Sequence, residues 1–275
     1  MKIQQIGFIG GGNMASSLIG GLVSNDYPAD KITVADLDAD KLRYLNETFG
    51  VNTTLDSNSL VLQSDIVVLA VKPQHMQSVA DSIAASAQQK KPVLVSIAAG
   101  IRIAALERWL GGDLAVVRCM PNTPALVKTG ATGLSANAQV GVEQKDQVES
   151  LMRAVGVAVW VAEEGDLDTV TALSGSGPAY FFMVMEALEA AAVDAGLDQK
   201  TAQLLTQETA LGAAKMALES TESAAVLRQR VTSPGGTTER AIEVLEKQGL
   251  RAILQQALSA AKERSVELSD ELGGS

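Results

Sequence analysis

The sequence predicts an α/β protein in two parts: a mostly parallel sheet with helices on both faces, then an all-helical C-terminal half. Three observations carry this. Apolar strand-like runs alternate with helical ones up to about residue 163, the pattern that gives a parallel sheet covered by helices. A glycine-rich turn at Gly10, Gly11 and Gly12 joins the first strand to the first helix. Beyond Glu163 and Glu164 the strand signals stop, and long stretches rich in Ala, Leu, Glu and Gln take over. The boundary is therefore drawn at 163/164.

The first strand, Ile3–Ile9, passes through the glycine turn into the helix Asn13–Ser24. Strand, tight turn and helix are the setting a dinucleotide fingerprint needs. Gly10 and Gly12 allow backbone angles and a closeness to pyrophosphate that side chains would forbid, and small Ala15 lets the helix pack tightly. The helix N-terminus would face the phosphates. Asp36 closes the second strand, Ile32–Ala35, where an acid can accept hydrogen bonds from the adenosine ribose. The sheet domain thus reads as Rossmann-like.

Elements continue as helix Ala39–Phe49, strand Ile66–Val71, helix Gln74–Ala87, strand Val93–Ile97, helix Ile103–Leu110 and strand Ala115–Cys119. Ala131–Leu134 and Ala158–Val161, with the helix Glu143–Ala154 between them, extend the sheet at its edge. The turns ending in Pro73 and Gly100 are further cofactor-site candidates, because ligands of open α/β sheets sit beyond the carboxyl ends of the strands.

In the helical half, Ser174-Gly-Ser-Gly-Pro178 reads as a loop with proline in the first turn of the helix Ala179–Ala195, which Gly196 caps. That helix is apolar or small on nearly every face, so it predicts burial and a homodimer built on this half. Helices follow at Thr201–Glu219, Ala224–Arg230, Thr238–Gln248 and Leu250–Glu271. Between two of them, Ser233-Pro-Gly-Gly-Thr-Thr238 bends sharply into a helix start. Free backbone N–H groups beside the Thr237 and Thr238 hydroxyls would suit a substrate carboxylate; an ordinary N-cap with Thr237 capping is the alternative.

Composition narrows the function. With 22 basic and 32 acidic residues the net charge is −10, and no basic patch suggests nucleic acid. A small metabolite is the better partner. The N-terminus lacks a signal-peptide layout, the single cysteine Cys119 cannot form an internal disulfide, and Pro178–Val193 is interrupted by Glu186 and Glu189. A cytoplasmic protein with no membrane partner is expected. Cys119, inside an apolar strand, reads as a core residue.

Five motifs in order are similar to those of the pyrroline-5-carboxylate reductases: the N-terminal fingerprint, Ala70-Val-Lys-Pro73, Arg118-Cys-Met-Pro-Asn-Thr-Pro124, Ser174-Gly-Ser-Gly-Pro-Ala-Tyr180 and Ser233-Pro-Gly-Gly-Thr-Thr238. The resemblance, running from about Ile6 to Ala260, implies an oxidoreductase that reduces the cyclic imine 1-pyrroline-5-carboxylate to L-proline with NADPH and/or NADH and no metal. It implies a Rossmann domain, a helical dimerisation domain and, in many members, a decamer built as a ring of dimers. Residue by residue, it places the pyrophosphate at Phe8, Ile9, Gly10, Gly11, Gly12 and Asn13, with Met14 beside them. Asn58, Ala70, Val71, Lys72 and Pro73 would meet the adenosine or ribose portions, and Ala98, Ala99 and Gly100 the nicotinamide end. Thr238 would bond the substrate ring nitrogen. Ser233, Gly236 and Thr237 would hold the carboxylate or shape its pocket, with Glu164 nearby and Ser174, Gly175, Ser176 and Gly177 lining the same pocket.

The chemistry agrees with the composition. Reducing a ketone usually needs a positioned proton donor, yet the only histidine, His75, lies beside Pro73 in the nucleotide half. A protonated cyclic imine is already electrophilic, so alignment and one hydroxyl on its nitrogen can suffice. Asp36 favours NADH, since a carboxylate repels a 2′-phosphate; Lys41 and Arg43 are the cations that would offset it. Arg230 either assists the substrate carboxylate or faces solvent. Two rival readings use other features: a 3-hydroxyacid dehydrogenase with Lys215 as acid/base, and a dinucleotide-binding sensor without turnover.

Overall fold

The computed structural model describes residues 4–273. The expected beginning of the first strand at Ile3 lies outside the described residues. The sheet holds β1 (Ile6–Ile9), β2 (Ile32–Ala35), β3 (Asn52–Thr54), β4 (Ile66–Leu69), β5 (Val93–Ser96), β6 (Val116–Met120), β7 (Gly130–Ala136) and β8 (Gly156–Trp160). The helices are α1 (Asn13–Ser24), α2 (Ala39–Phe49), α3 (Ser57–Gln63), α4 (Pro73–Lys90), α5 (Ile103–Leu110), α6 (Val142–Arg153), α7 (Asp166–Val170), α8 (Gly177–Asp194), α9 (Gln199–Glu219), α10 (Ala224–Arg230), α11 (Thr237–Lys247) and α12 (Leu250–Gly273). Strand order is β3-β2-β1-β4-β5-β6-β7-β8. All neighbours are parallel except β6 and β7.

That order fixes where a ligand can sit. The chain leaves β1 toward β2 on one side and returns to β4 on the other, so the β1/β4 boundary is the topological switch point, where a crevice opens beyond the carboxyl ends. The apolar runs are buried on both faces, as parallel strands require: Phe8, Val34, Val67, Val68, Leu69, Leu94 and Val95 are fully buried. A side chain such as Phe8 or Leu18 contributes roughly 1.5–3 kcal/mol by leaving water. Separate apolar cores form on the two faces, one holding Leu18, Ile19 and Leu45, the other Met76, Ile83, Leu106 and Trp109.

The short connection from β6 to β7 carries only a 3-10 turn, Thr123–Val127. Without a crossover helix the chain returns antiparallel. Three elements lie outside the sequence expectation: the helix α7, β3, three polar residues on the sheet edge, and α3, whose start is fixed by Asp56 accepting from the Asn58 and Ser59 amides. A further correction concerns Ser174-Gly-Ser176. It is no irregular loop, because Thr171–Gly175 forms a π-helical turn that leads into α8.

The chain divides into two compact units, one ending at Ser176 and including the residues from Ala260 onward, the other Gly177–Ser259. In the second unit α8 packs against α9. The expectation that α8 is buried all round does not hold within one chain: Phe181 is 68% and Met183 73% exposed. Among the described residues, no helix is long and apolar enough to cross a membrane.

Cys119 is buried on β6, and loss of hydration pushes its thiol pKa far above the ordinary value. The folded chain should therefore leave a disulfide reagent such as DTNB unreacted at pH 8, and the unfolded chain should consume one equivalent; release of thiolate chromophore at 412 nm reads both. Because only the unfolded state ionises this thiol, its contribution to stability is present below the ordinary thiol pKa and is lost as pH rises above it.

Candidate functional site

The crevice at the switch point is closed by backbone bonds across the strand ends. Gly10 N–H donates to Ala35 O at 2.8 Å, Ala70 N–H to Ile9 O at 2.8 Å and Ile97 N–H to Leu69 O at 3.2 Å. These bring Phe8 to Gly10, Ala70 to Pro73 and the turn after β5 to one edge. Gly10 has φ +102°, and a Cβ there would lie 2.6 Å from Ala70 O. No L side chain fits. Gly12 is the opposite case, since nothing lies within 4 Å of where its Cβ would be. It caps α1 without any side-chain hydrogen bond, so the first amides of α1 keep no side-chain cap. Open space before an uncapped helix N-terminus suits a pyrophosphate.

Asp36 lies at the end of β2, half-buried. Its Oδ2 accepts from Gly11 N–H at 2.7 Å and its Oδ1 from Asp38 N–H at 2.9 Å. The carboxylate is thereby locked beside the glycine turn. Lys41 Nζ is 4.0 Å from Asp36 and 3.6 Å from Asp38, while Arg43 pairs with Asp40 at 2.6 Å. Lys41 is thus the cation at this corner. Asp38 caps α2, and the amide of Lys41 in particular holds its carboxyl below the usual range. Leu37, 94% exposed beside Asp36, offers an apolar surface that the sequence reading did not single out. Asn58 is exposed, but its Oδ1 already accepts from Ser86 Oγ at 2.7 Å.

After β5, Ala98 and Gly100 are buried and Ala99 is half-buried. Gly100 has φ +74°, and a Cβ there would meet Leu272 Cδ1 at 3.1 Å. Glu164 Oε1 accepts from Ile103 N–H at 2.8 Å, at the head of α5, and from Arg118 Nη1 at 3.0 Å. Arg118 is only 2% exposed, and a buried charge needs such partners. In the sequence it belongs to a motif that assigns it no role. Its position inside the apolar run Val116-Val-Arg-Cys-Met120 was the available signal.

The π-turn carrying Ser174 and Gly175 is held by the Arg118-Cys-Met-Pro-Asn segment. Asn122 Nδ2 donates to Ser174 O at 3.0 Å, and its Oδ1 accepts from Ala131 N–H at 2.8 Å. A Cβ on Gly175 would lie 2.7 Å from Met120 Cε. Ser174 Oγ donates to Val170 O at 3.0 Å. Ser176 ends this unit, and Gly177 begins α8.

In the second unit, Ser233-Pro-Gly-Gly236 forms a β-turn closed by Gly236 N–H on Ser233 O at 3.0 Å. Proline at the second position and Gly235 at φ +72° in the third are what a type II turn demands. The N-cap of α11 is Gly236, with no side-chain cap. Thr237 is therefore not the cap, which corrects that alternative. Glu239 instead reaches back, its Oε2 accepting from Gly235 N–H at 2.7 Å, and so fixes the turn while leaving the helix start open. Thr237 is exposed and Thr238 half-buried at the first two helical positions. Arg230 pairs with Glu222, and Lys215 lies on an exposed face 3.9 Å from Glu219. His75 is exposed on α4.

Residues 164–268 match the model "pyrroline-5-carboxylate reductase dimerisation", and residues 5–100 match "NADP oxidoreductase coenzyme F420-dependent". The chain is 50% identical over 273 residues to a pyrroline-5-carboxylate reductase of Pseudomonas aeruginosa, covering 99% of this chain and 100% of the relative. A solved pyrroline-5-carboxylate reductase from Coxiella burnetii is 48% identical with a TM-score of 0.95, covering 98% of this chain and 100% of that one. Another, from Plasmodium falciparum with NADP bound, is 30% identical with a TM-score of 0.84 over 98% and 100% of the two chains.

Gly10→Ala tests the crevice. The added methyl meets Ala70 O and strains the backbone, a cost of about 1–3 kcal/mol. Thermal unfolding should shift down, and dinucleotide binding, followed by fluorescence of the reduced cofactor, should weaken at least tenfold.

Proposed function

The chain belongs to the pyrroline-5-carboxylate reductase family, and from that membership we propose how its residues divide the work. The reaction is reduction of 1-pyrroline-5-carboxylate to L-proline with NAD(P)H, the last step of proline biosynthesis. The reduced dinucleotide supplies the hydride. The open, uncapped start of α1 supports its assignment to the pyrophosphate, with Phe8 to Met14 around it. Asn58, with its amide nitrogen, and Ala70 to Pro73 take the adenosine and ribose side. Ala98, Ala99 and Gly100 form the nicotinamide end.

The observation that carries the substrate assignment is the uncapped N-terminus of α11. Its first amides, with the helix dipole, suit a carboxylate. Thr237 and Thr238 amides bind that group, Ser233 and Gly236 shape the turn, and the Thr238 hydroxyl accepts from the protonated ring nitrogen. Holding that proton on nitrogen keeps the imine carbon electrophilic, so placement supplies most of the catalysis. Ser174 to Gly177 and Glu164 are the other residues assigned to the substrate. Residues 164–275 are assigned to substrate binding and dimerisation, and 1–163 to the dinucleotide. The exposed apolar side chains of α8 support a homodimer, with a decamer as a ring of dimers the larger assembly. A buried, unpaired Cys119 fits a cytoplasmic setting.

Thr238→Ala should lower kcat by about 10–100-fold, the range of one well-placed hydrogen-bonding group, with an unchanged melting curve; Thr238→Ser should restore most of it. Loss of absorbance at 340 nm with 1-pyrroline-5-carboxylate measures both. Full activity in Thr238→Ala removes the hydroxyl from the mechanism.

Asp36, locked on Gly11, should make NADH a substantial cofactor. Asp36→Ser should move the ratio of kcat/KM for NADPH over NADH up by at least tenfold in parallel assays. A wild-type preference for NADPH of a hundredfold would instead show that Asp36 does not read the ribose.

A further inference from the structure

Apart from Glu164, the ion cluster behind the turn after β5 has no role in the assignments above. Arg118 Nη1 bonds Glu164 Oε1 at 3.0 Å, and the same oxygen accepts Ile103 N–H at 2.8 Å. On its other side Arg118 Nη2 lies 4.0 Å from Asp168 Oδ1, which accepts from Ser265 Oγ at 2.7 Å. Asp168 and Ser265 are 3% and 5% exposed. Ser265 belongs to α12, whose Leu268 and Leu272 press on Gly100. Arg102 Nη2 further pairs with Asp270 of the same helix at 3.3 Å. The turn Ile97–Arg102 is therefore gripped twice: Glu164 holds its exit into α5, and α12 lies against its middle. Both grips trace to one guanidinium.

We propose that Arg118 is a positioning residue for hydride transfer: through Glu164 and Asp168 it clamps the Ala98–Gly100 turn against α5 and α12, setting the nicotinamide end. This rests on the assignment of that turn to the nicotinamide. It also gives Glu164 a different task from the substrate contact assigned to it. Its Oε1 is already shared between an amide and a guanidinium, which makes it a bracket between strand β6 and helix α5.

A bracket and a substrate ligand respond differently to substitution. Loosening the turn leaves pyrophosphate and adenosine contacts intact, so cofactor affinity changes little while alignment in the transition state suffers. Losing a ground-state contact to substrate raises its KM instead.

The test compares Glu164→Gln, Glu164→Ala and Arg118→Lys in the full-length protein. Glutamine keeps an oxygen that accepts from both Ile103 N–H and Arg118, so Glu164→Gln should lower kcat several-fold less than Glu164→Ala does. Glu164→Ala and Arg118→Lys should lower kcat about 10–100-fold, with KM for both substrates within threefold. The kinetic isotope effect on kcat with NADH deuterated at the transferred position should rise, because hydride transfer becomes more rate-limiting. A rise in KM for 1-pyrroline-5-carboxylate at unchanged kcat, in either Glu164 variant, would overturn the bracket. So would a fall in melting temperature and active fraction with isotope effect and KM unchanged, since that is a merely structural role. The underlying assignment is checked separately in the wild type with 13C-methyl alanine: nuclear Overhauser contacts from the bound nicotinamide ring protons to Ala98 and Ala99 methyls are expected. Their absence would refute the turn as the nicotinamide end, and the clamp with it, whatever the variants do.

Discussion

The constraint on which the nucleotide half depends is a contact between two pieces of backbone, Gly10 and the carbonyl of Ala70. In a doubly wound sheet the first loop must turn back over the β1/β4 boundary, and it can do so only where no Cβ intervenes. The positive φ at Gly10 and the 2.6 Å that a Cβ would leave are two expressions of the same crowding. The tightness lets Gly10 N–H reach Ala35 O and the start of α1 stand open at Gly12. It also brings Gly11 N–H within 2.7 Å of Asp36, so the acid assigned to the ribose is aimed by the turn assigned to the pyrophosphate.

Charge in this chain is mostly spent on the surface, and the exceptions mark what must not move. Pairs such as Arg43 with Asp40, or Arg264 with Glu267 and Glu271, are well exposed. Exposed pairs of this kind contribute about 0–1 kcal/mol each. Arg118 differs in kind, because its guanidinium is 2% exposed and Asp168 is 3% exposed. Burying such groups costs stability that a well-packed apolar set would not forfeit. The cluster therefore makes better sense as a device for fixing geometry, tying β6, α5, α7 and α12 to one another.

Legibility in the sequence tracked how local the cause was. The alternation of apolar runs and the Gly10 to Gly12 turn depend on neighbours along the chain, and the strands and helices they implied stand within a few residues of their expected ends. The type II turn at Ser233 to Gly236 was equally readable, because proline and glycine dictate its angles. What capped α11 was not. Thr237 has the right chemistry for an N-cap, but Gly236 occupies that position and Glu239 reaches back past it. β3 escaped notice because its three polar residues owe their conformation to pairing with β2, not to any pattern of their own. The partners of Arg118, forty-six and fifty positions further along the chain, were invisible for the same reason: a buried charge announces that it needs counter-charges but not where they are.

The helical half illustrates a choice that an imine makes available. An enzyme reducing a neutral carbonyl must deliver a proton as the hydride arrives, and its fold must bury and tune an acid for that purpose. Here the only histidine is exposed on α4 and Lys215 lies on an exposed face beside Glu219. The assigned substrate site instead offers backbone amides at an uncapped helix start and a threonine hydroxyl, none of which has to change charge. Such groups are already oriented by the type II turn and by Glu239, so little reorganisation is needed when charge shifts in the substrate. A site made this way places its demands on exact backbone shape. That accounts for the two glycines: Gly235 has φ +72°, a conformation that L side chains rarely adopt, and a Cβ on Gly236 would lie 2.9 Å from the Ser233 carbonyl oxygen.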